Sequence, residues 1–73
     1  MNNLKNEIKS IIALKGLTFT QVVDKINENR ADDNKTTVQN LNNKLTRGTI
    51  KYCEILEIAD VLGLKIVWLP KED

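Results

Sequence analysis

Residues 34–53 combine basic side chains with carboxamides and contain no acidic residue. The carboxamides of Gln and Asn can pair bidentately with the N6 and N7 edge of adenine in the major groove. Arg can do the same with guanine, and lysines hold phosphates. The stretch therefore carries the groups that reading duplex DNA requires. The cations are Lys35, Lys44, Arg47 and Lys51, and the central amides are Gln39, Asn40, Asn42 and Asn43.

A helix over residues 37–46 would present most of these groups on one side. Successive residues of a helix are rotated by about 100°, which places Leu41 and Leu45 on one face with Val38 nearby. The opposite face is polar and has no acid to repel phosphate. A solvated surface in a chain rich in Asn and Lys explains the same pattern, so this face alone leaves both interpretations open. The polar face consists of Gln39, Asn40, Asn43 and Arg47, flanked by Asn42 and Lys44.

Three more helices and one strand are predicted around this segment, because apolar residues recur at helical spacing in three further stretches. Thr18 and Gln21 have the spacing of a capping box, and Thr49 is a candidate N-cap of the last helix. Residues 64–69 are apolar, partly β-branched and aromatic, which favours a strand. The expected fold is mainly α, a compact four-helix domain with a short C-terminal β-strand. Its predicted elements are helices at 3–15, 19–28, 37–46 and 50–62 and a strand at 64–69.

Length and composition predict one globular domain over residues 1–73, since 41% of the residues are hydrophobic and 29% are charged. The chain contains no His and one Cys, Cys53, so the commonest general base and the ligand set of a zinc site are missing. We therefore expect no enzyme, no cofactor and no metal site, and no small-molecule ligand is evident. The chain begins without the apolar core of a signal peptide, and no apolar run could span a bilayer, so a cytoplasmic protein is expected.

The formal net charge of +1 conceals an uneven distribution. Residues 1–53 contain nine basic and five acidic residues, a balance of +4, whereas residues 54–73 contain two basic and five acidic residues, a balance of −3. The basic excess therefore lies in the part of the chain that contains the amide-rich helix.

Four segments in this order resemble the Cro and phage-repressor, or XRE-like, helix-turn-helix family. In that family a KGLT segment opens the first helix of the motif, a capped recognition helix follows, and an IAxxLG helix closes the core. The resemblance spans roughly residues 4–64, and it implies a DNA-binding transcriptional regulator of phage or prokaryotic type. The segments are KGLT at 15–18, VV at 22–23, NLNNKLTRG at 40–48 and IADVLG at 58–63.

The resemblance also implies a role for each matching position. Thr37 would cap the recognition helix beside the DNA backbone, and Thr18, at the start of the second helix, would touch the backbone as well. The residues that would face base edges are Gln39, Asn40 and Asn43. The residues that would approach phosphates are Lys44, Arg47, Thr49 and Lys51.

The chain departs from the family at three points. Phe19 stands where the family usually has Gln, no Gly occurs in the turn, and the connection between Ile26 and Leu41 is longer than usual. Residues 27–35 must therefore loop out, or the second helix must extend, and the docking geometry depends on which occurs. In a looped arrangement Lys35 and Arg30 would add backbone contacts.

The predicted C-terminal strand is apolar on both faces, with Ile66 and Trp68 on one and Val67 and Leu69 on the other. Such a strand is usually covered on both sides, and a lone strand leaves backbone groups unpaired. Pairing with the same strand of a second copy would solve both problems, and the resulting two-fold symmetry suits a palindromic site. A homodimer through these four residues is therefore expected. There are two alternatives: the strand packs back onto helices 1 and 4 in a monomer, or it forms a hairpin with residues 27–35, the linker between helices 2 and 3.

A protein-interaction module on the same scaffold, such as an antitoxin-like or phage accessory protein, is the rival function, and the low net charge is compatible with it. Cys53 could act as a redox switch, although a half-buried small side chain is the simpler interpretation. Trp68 could stack on bases, although packing as part of the apolar strand is the simpler interpretation. Glu54 and Glu57 are expected on the solvent side of the last helix.

Overall fold

Four α-helices build the described part of the chain, residues 3–71 of a computed structural model. All four predicted helices are confirmed, and their ends lie within two residues of the predicted ones. Within these residues, no helix combines the length and the apolar character needed to cross a membrane. The helices are α1 (Leu4–Leu14), α2 (Phe19–Glu28), α3 (Val38–Arg47) and α4 (Tyr52–Val61), and a short 3-10 turn covers Asp32–Asn34 between α2 and α3.

The start of α2 is set by the predicted capping box. The Gln21 amide donates to Thr18 Oγ1 at 3.2 Å, and the Thr18 amide donates to Gln21 Oε1 at 2.8 Å. Two amides of the first turn that have no partner within the helix are thereby satisfied. The preceding α1 ends before Gly16, whose φ of +74° lies in the left-handed region that glycine adopts without strain.

One hydrophobic core joins all four helices. In the packing α2 contacts α1, α3 and α4, and α1 contacts α3. Leu41 and Leu45, one turn apart, anchor α3 in this core as the helical spacing predicts, whereas Val38 is exposed. The buried apolar residues are Ile8, Ile12, Val22, Val23, Ile26, Leu41, Leu45, Ile58 and Leu62.

The linker between α2 and α3 loops out and is held by side-chain hydrogen bonds. Asn27 Oδ1 accepts from the Thr36 amide and Asn27 Nδ2 donates to the Thr36 carbonyl, both at 2.9 Å. The Arg30 guanidinium forms two hydrogen bonds with the Glu57 carboxylate of α4 and donates a third to the Asn34 carbonyl. Of the two arrangements that the long connection allowed, the looped one is therefore observed, since α2 ends at Glu28.

The predicted strand at residues 64–69 is wrong: no strand occurs in residues 3–71. A β-strand needs a second backbone beside it, and the described chain supplies none. The segment instead runs along α1 and α4, where Leu64 and Ile66 help to line an apolar groove with Ile8, Ile11 and Ile55.

The start of α4 and the position of Glu54 also differ from the prediction. Because α4 begins at Tyr52, its N-cap residue is Lys51 and not Thr49, and the Lys51 amide donates to Glu54 Oε1 at 3.1 Å. Glu54 is only 8% exposed, so its predicted place on the solvent side is wrong, and Glu57 is half-buried. Cys53, predicted as half-buried, is exposed.

Candidate nucleic-acid interface

The outer face of α3 carries the three amides that the sequence assigns to base edges. Gln39, Asn40 and Asn43 are all exposed, and within residues 3–71 their side-chain amides form no hydrogen bond to protein groups. Asn40, Asn43 and Arg47 follow one another at i, i+3 and i+7, which places them in one row along the helix. This row of Asn40, Asn43 and Arg47, which we call the amide row, can therefore present two carboxamides and a guanidinium to an external partner.

The N-terminus of α3 is ordered by Thr37. Thr37 Oγ1 accepts from the Asn40 amide at 3.0 Å, which confirms Thr37 as the N-cap. The preceding Thr36 is buried, and the Asn27 side chain binds its backbone amide and carbonyl. At the other end, Gly48 adopts a φ of +69° and the Thr49 amide donates to the Lys44 carbonyl at 2.9 Å. Both ends of the amide row are therefore fixed by local hydrogen bonds.

Two of the cations assigned to phosphates have partners inside the protein. Lys44 Nζ lies 2.8 Å from Glu54 Oε2, in a pair whose carboxylate is almost buried. Lys35 Nζ donates to the Asn27 carbonyl at 3.0 Å and lies 3.6 Å from an exposed Asp32 carboxylate oxygen. A phosphate would have to compete with these partners for either ammonium group.

The other residues assigned to the DNA backbone lie on the surface at both ends of α3 and at the start of α2. Arg47, Thr49 and Lys51 are exposed, and among residues 3–71 no carboxylate pairs with Arg47 or with the Lys51 ammonium. Thr18 is also exposed, and its hydroxyl accepts from the Gln21 amide while its own proton stays available to a second acceptor. Lys51 shares a polar cleft with Lys44 and Arg30, between the linker and α4.

Glu54 connects α3 to α4 through its two carboxylate oxygens. One accepts from the Lys51 amide and the other from Lys44 Nζ. Burial raises the pKa of Glu54, but the hydrogen bonds from Lys44 and Lys51 and the charges of Lys44 and Arg30 outweigh it and hold this pKa below its ordinary value. Glu54 is therefore ionised at neutral pH, and its contact with Lys44 holds the C-terminal half of α3 beside α4.

Arg30 connects the linker to α4, because the Glu57 carboxylate binds its guanidinium, and a phosphate would have to compete with Glu57 for it. Its hydrogen bonds to Glu57 raise the pKa of Arg30, against the opposing effect of burial. The two residues are 27 positions apart in the chain, so no local spacing indicates the pair. Lys51 and Glu54, by contrast, have the three-residue spacing of a capping interaction, which is a signal that sequence reasoning missed.

The remaining candidate features lie away from the amide row. Tyr52 and Trp68 form an aromatic pair with ring centroids 6.2 Å apart, and Trp68 is 85% exposed in the single chain. Within residues 3–71 no group of His, Cys, Asp and Glu side chains is arranged to hold a metal ion.

Comparison with protein-family models, with curated proteins and with solved structures finds no match to this chain. The likeness to the Cro and phage-repressor family therefore rests on the sequence segments alone.

Proposed function

We propose that the protein is a sequence-specific duplex DNA-binding protein, a cytoplasmic transcriptional regulator of phage or prokaryotic type that reads the major groove with α3. The observation that carries the proposal is the row of exposed Asn40, Asn43 and Arg47 on a helix without acidic residues. The amides match the edge of adenine, Arg47 suits a phosphate beside the groove, and the major groove of B-DNA is wide enough for a helix.

The cations around α3 support the positioning part of this proposal. Arg47 and Lys51 have no carboxylate partner among residues 3–71, and both follow Asn43 in the chain. Phosphate contacts set the register of a protein on DNA while base contacts supply the sequence preference. Lys44 and Lys35, assigned to the same role from the sequence, contribute only where phosphate displaces their present partners.

The first test is an NMR titration of isotope-labelled protein with a random-sequence, AT-rich duplex at low salt. Shifts concentrated in residues 35–51 are expected, because even non-specific binding uses the phosphate contacts around α3. A folded protein whose spectrum does not change would contradict the proposal and favour the protein-interaction function.

Asn43→Ala is expected to reduce sequence preference while leaving non-specific affinity nearly unchanged. A bidentate pair between an amide and adenine discriminates by about 1–3 kcal/mol, so the preferred site, once selected from a random library, should lose that advantage over a mismatched one. The measurement is fluorescence anisotropy on both duplexes. Lys51→Ala is the matched control, since an exposed phosphate contact should weaken all duplexes alike. If Asn43→Ala, like Lys51→Ala, lowers the affinity for the preferred and the mismatched duplex by the same factor, Asn43 does not read bases.

A protein-interaction module remains the second candidate, and the C-terminal segment is the observation that favours it. Val67, Trp68 and Leu69 are between 59% and 85% exposed, next to an apolar groove of about 380 Å³ between α1, α4 and the segment. Surface of this kind suits a protein partner. Retention on heparin at moderate salt is expected of the DNA-binding protein but not of the module.

The proposal includes a homodimer through Ile66, Val67, Trp68 and Leu69. Within residues 3–71 no backbone hydrogen bond involves residues 65–69, so their amides and carbonyls are available to a second copy. The same segment exposes the apolar side chains of Val67, Trp68 and Leu69. A second copy paired along this segment would bury these side chains and provide partners for the free backbone groups.

Trp68→Ser is expected to convert the dimer into a monomer with the 8.3 kDa mass of one chain, because it removes the largest exposed apolar side chain from the segment. Sedimentation velocity measures the mass. Leu14→Ser is the control, since Leu14 is equally exposed at 85% but lies at the end of α1. A wild-type protein that sediments as a monomer at micromolar concentration would contradict the dimer without affecting the assignment of α3.

A further inference from the structure

We infer that a cleft between α1 and α3 binds a phosphate of the DNA backbone, with Lys5 as a contact in addition to Arg47. The inference rests on the proposed DNA binding and extends its contact surface to α1. The α1–α3 cleft has a volume of about 300 Å³, and its polar wall is formed by Asn3, Lys5, Thr46, Arg47 and Gly48. Nothing in the sequence pattern of α1 indicates this role for Lys5.

The charge of the cleft favours an anion. Lys5 and Arg47 line it together, and among residues 3–71 neither has a carboxylate within ion-pairing distance. In this respect they differ from Arg30, Lys35 and Lys44, which all have carboxylate partners. Two cations that share a cleft repel each other, and a bound anion would convert that repulsion into two attractions.

The donors in the cleft suit a phosphate oxygen. Arg47 can offer paired N–H groups and Lys5 a mobile ammonium. Gly48 has open space where a side chain would begin, so an anion can approach the backbone there. The Thr46 hydroxyl is not a donor to the cleft, because it already donates to the Asn42 carbonyl at 2.8 Å.

The cleft continues the proposed reading face. Arg47 lies four residues after Asn43 on α3, on the same side and about 6 Å further along the axis. A phosphate held by Arg47 and Lys5 would thus lie at the end of the amide row. This position suits a strand that borders the groove which the row enters.

The test compares the salt dependence of duplex binding for the wild type, Lys5→Ala and Lys25→Ala. Each neutralised phosphate contributes about 0.9 to the slope of log K against log salt. Because Arg47 still holds the shared phosphate, Lys5→Ala should lower the slope by a measurable part of that amount. The fall in affinity between 50 and 200 mM salt would then be smaller by a factor of up to about 3.5. Lys25→Ala removes the same charge from an exposed position on α2 and should leave the slope nearly unchanged.

A double variant tests whether the two cations share one phosphate. If they do, Lys5→Ala and Arg47→Ala together should reduce affinity by less than the product of the single effects, since the second removal acts on a phosphate already partly released. Strictly multiplicative effects would overturn the shared cleft. Lys5→Gln repeats the experiment with most of the side-chain stem retained, and circular dichroism checks that each variant is folded.

The outcomes separate this inference from the proposed function. A wild type that binds no duplex overturns both. A wild type with a steep salt slope, together with Lys5→Ala and Lys5→Gln variants that keep that slope, overturns the assignment of Lys5 alone. Inorganic phosphate, titrated into the DNA-free protein at constant ionic strength, addresses the other source of the anion. Saturable shifts of the cleft amides at millimolar phosphate, together with Lys5→Ala and Lys5→Gln variants that keep the wild-type salt slope of duplex binding, would assign the cleft to the free ion instead of the DNA backbone.

Discussion

Leu41→Ala is expected to lower the free energy of unfolding by about 2–5 kcal/mol, as truncation of a fully buried Leu does. Leu41 is 2% exposed and holds α3 in the core. A chain of 73 residues has a total stability of about 4–11 kcal/mol at typical values per residue, so this substitution removes a large fraction of it. Urea unfolding followed by circular dichroism measures the loss.

The control is the same substitution at Leu14, which is 85% exposed at the end of α1. Leu14→Ala should change stability by no more than about 0.5 kcal/mol, because a surface site leaves no cavity. Equal losses for Leu41→Ala and Leu14→Ala would contradict the packing of α3. Because Leu41 faces away from the amide row, its truncation should weaken the proposed DNA binding only through the unfolded fraction of the protein.

Glu54→Gln is expected to destabilise the protein by about 1–3 kcal/mol at pH 7, the usual cost when one partner of a buried charged hydrogen bond is removed. The amide of Gln can still accept from the Lys51 amide but offers no charge to Lys44. Urea unfolding at pH 7 measures this cost. Asp60→Asn, which removes an exposed carboxylate of the same helix, should stay within about 0.5 kcal/mol of the wild type.

The destabilisation caused by Glu54→Gln should also depend on pH. Because the folded pKa of Glu54 lies below its ordinary value of 4.5, the ionised carboxylate stabilises the fold fully above pH 4.5. That stabilisation is lost as the pH falls below 4.5 and through the folded pKa. The wild type and Glu54→Gln should therefore differ most at neutral pH and converge in acid. A difference that is constant from pH 7 to pH 3 would show that the charge of Glu54 is not what stabilises the fold.

The helices and their ends were predictable because the interactions that define them are short in sequence. The capping box of Thr18 spans three residues, as does the cap that Thr37 provides for Asn40. Leu41 and Leu45 are one helical turn apart and both are buried. Hydrophobic periodicity therefore identified the inner face of α3, and with it the outward position of Gln39, Asn40 and Asn43.

The partners of the basic residues were not predictable from the sequence, because these partners are distant in the chain. Arg30 binds Glu57 on α4, and Lys44 binds a glutamate that periodicity placed in solvent. A charged residue in a sequence is equally compatible with a phosphate, a carboxylate or water, and only the packing of α4 beside the linker and α3 decides among them. The cleft that joins Lys5 to Arg47 depends in the same way on the packing of α1 against α3.

The sequence by itself determined the four helices, the inward face of α3 and the amide row opposite it, since all of these follow from spacings of a few residues. Tertiary structure alone decided that residues 64–69 run along α1 and α4 without forming a strand. The physical reason is that a helix satisfies its hydrogen bonds within its own segment, whereas a strand requires a second backbone. The residue types at 64–69 favour an extended backbone, but the described chain provides no second strand with which they could pair.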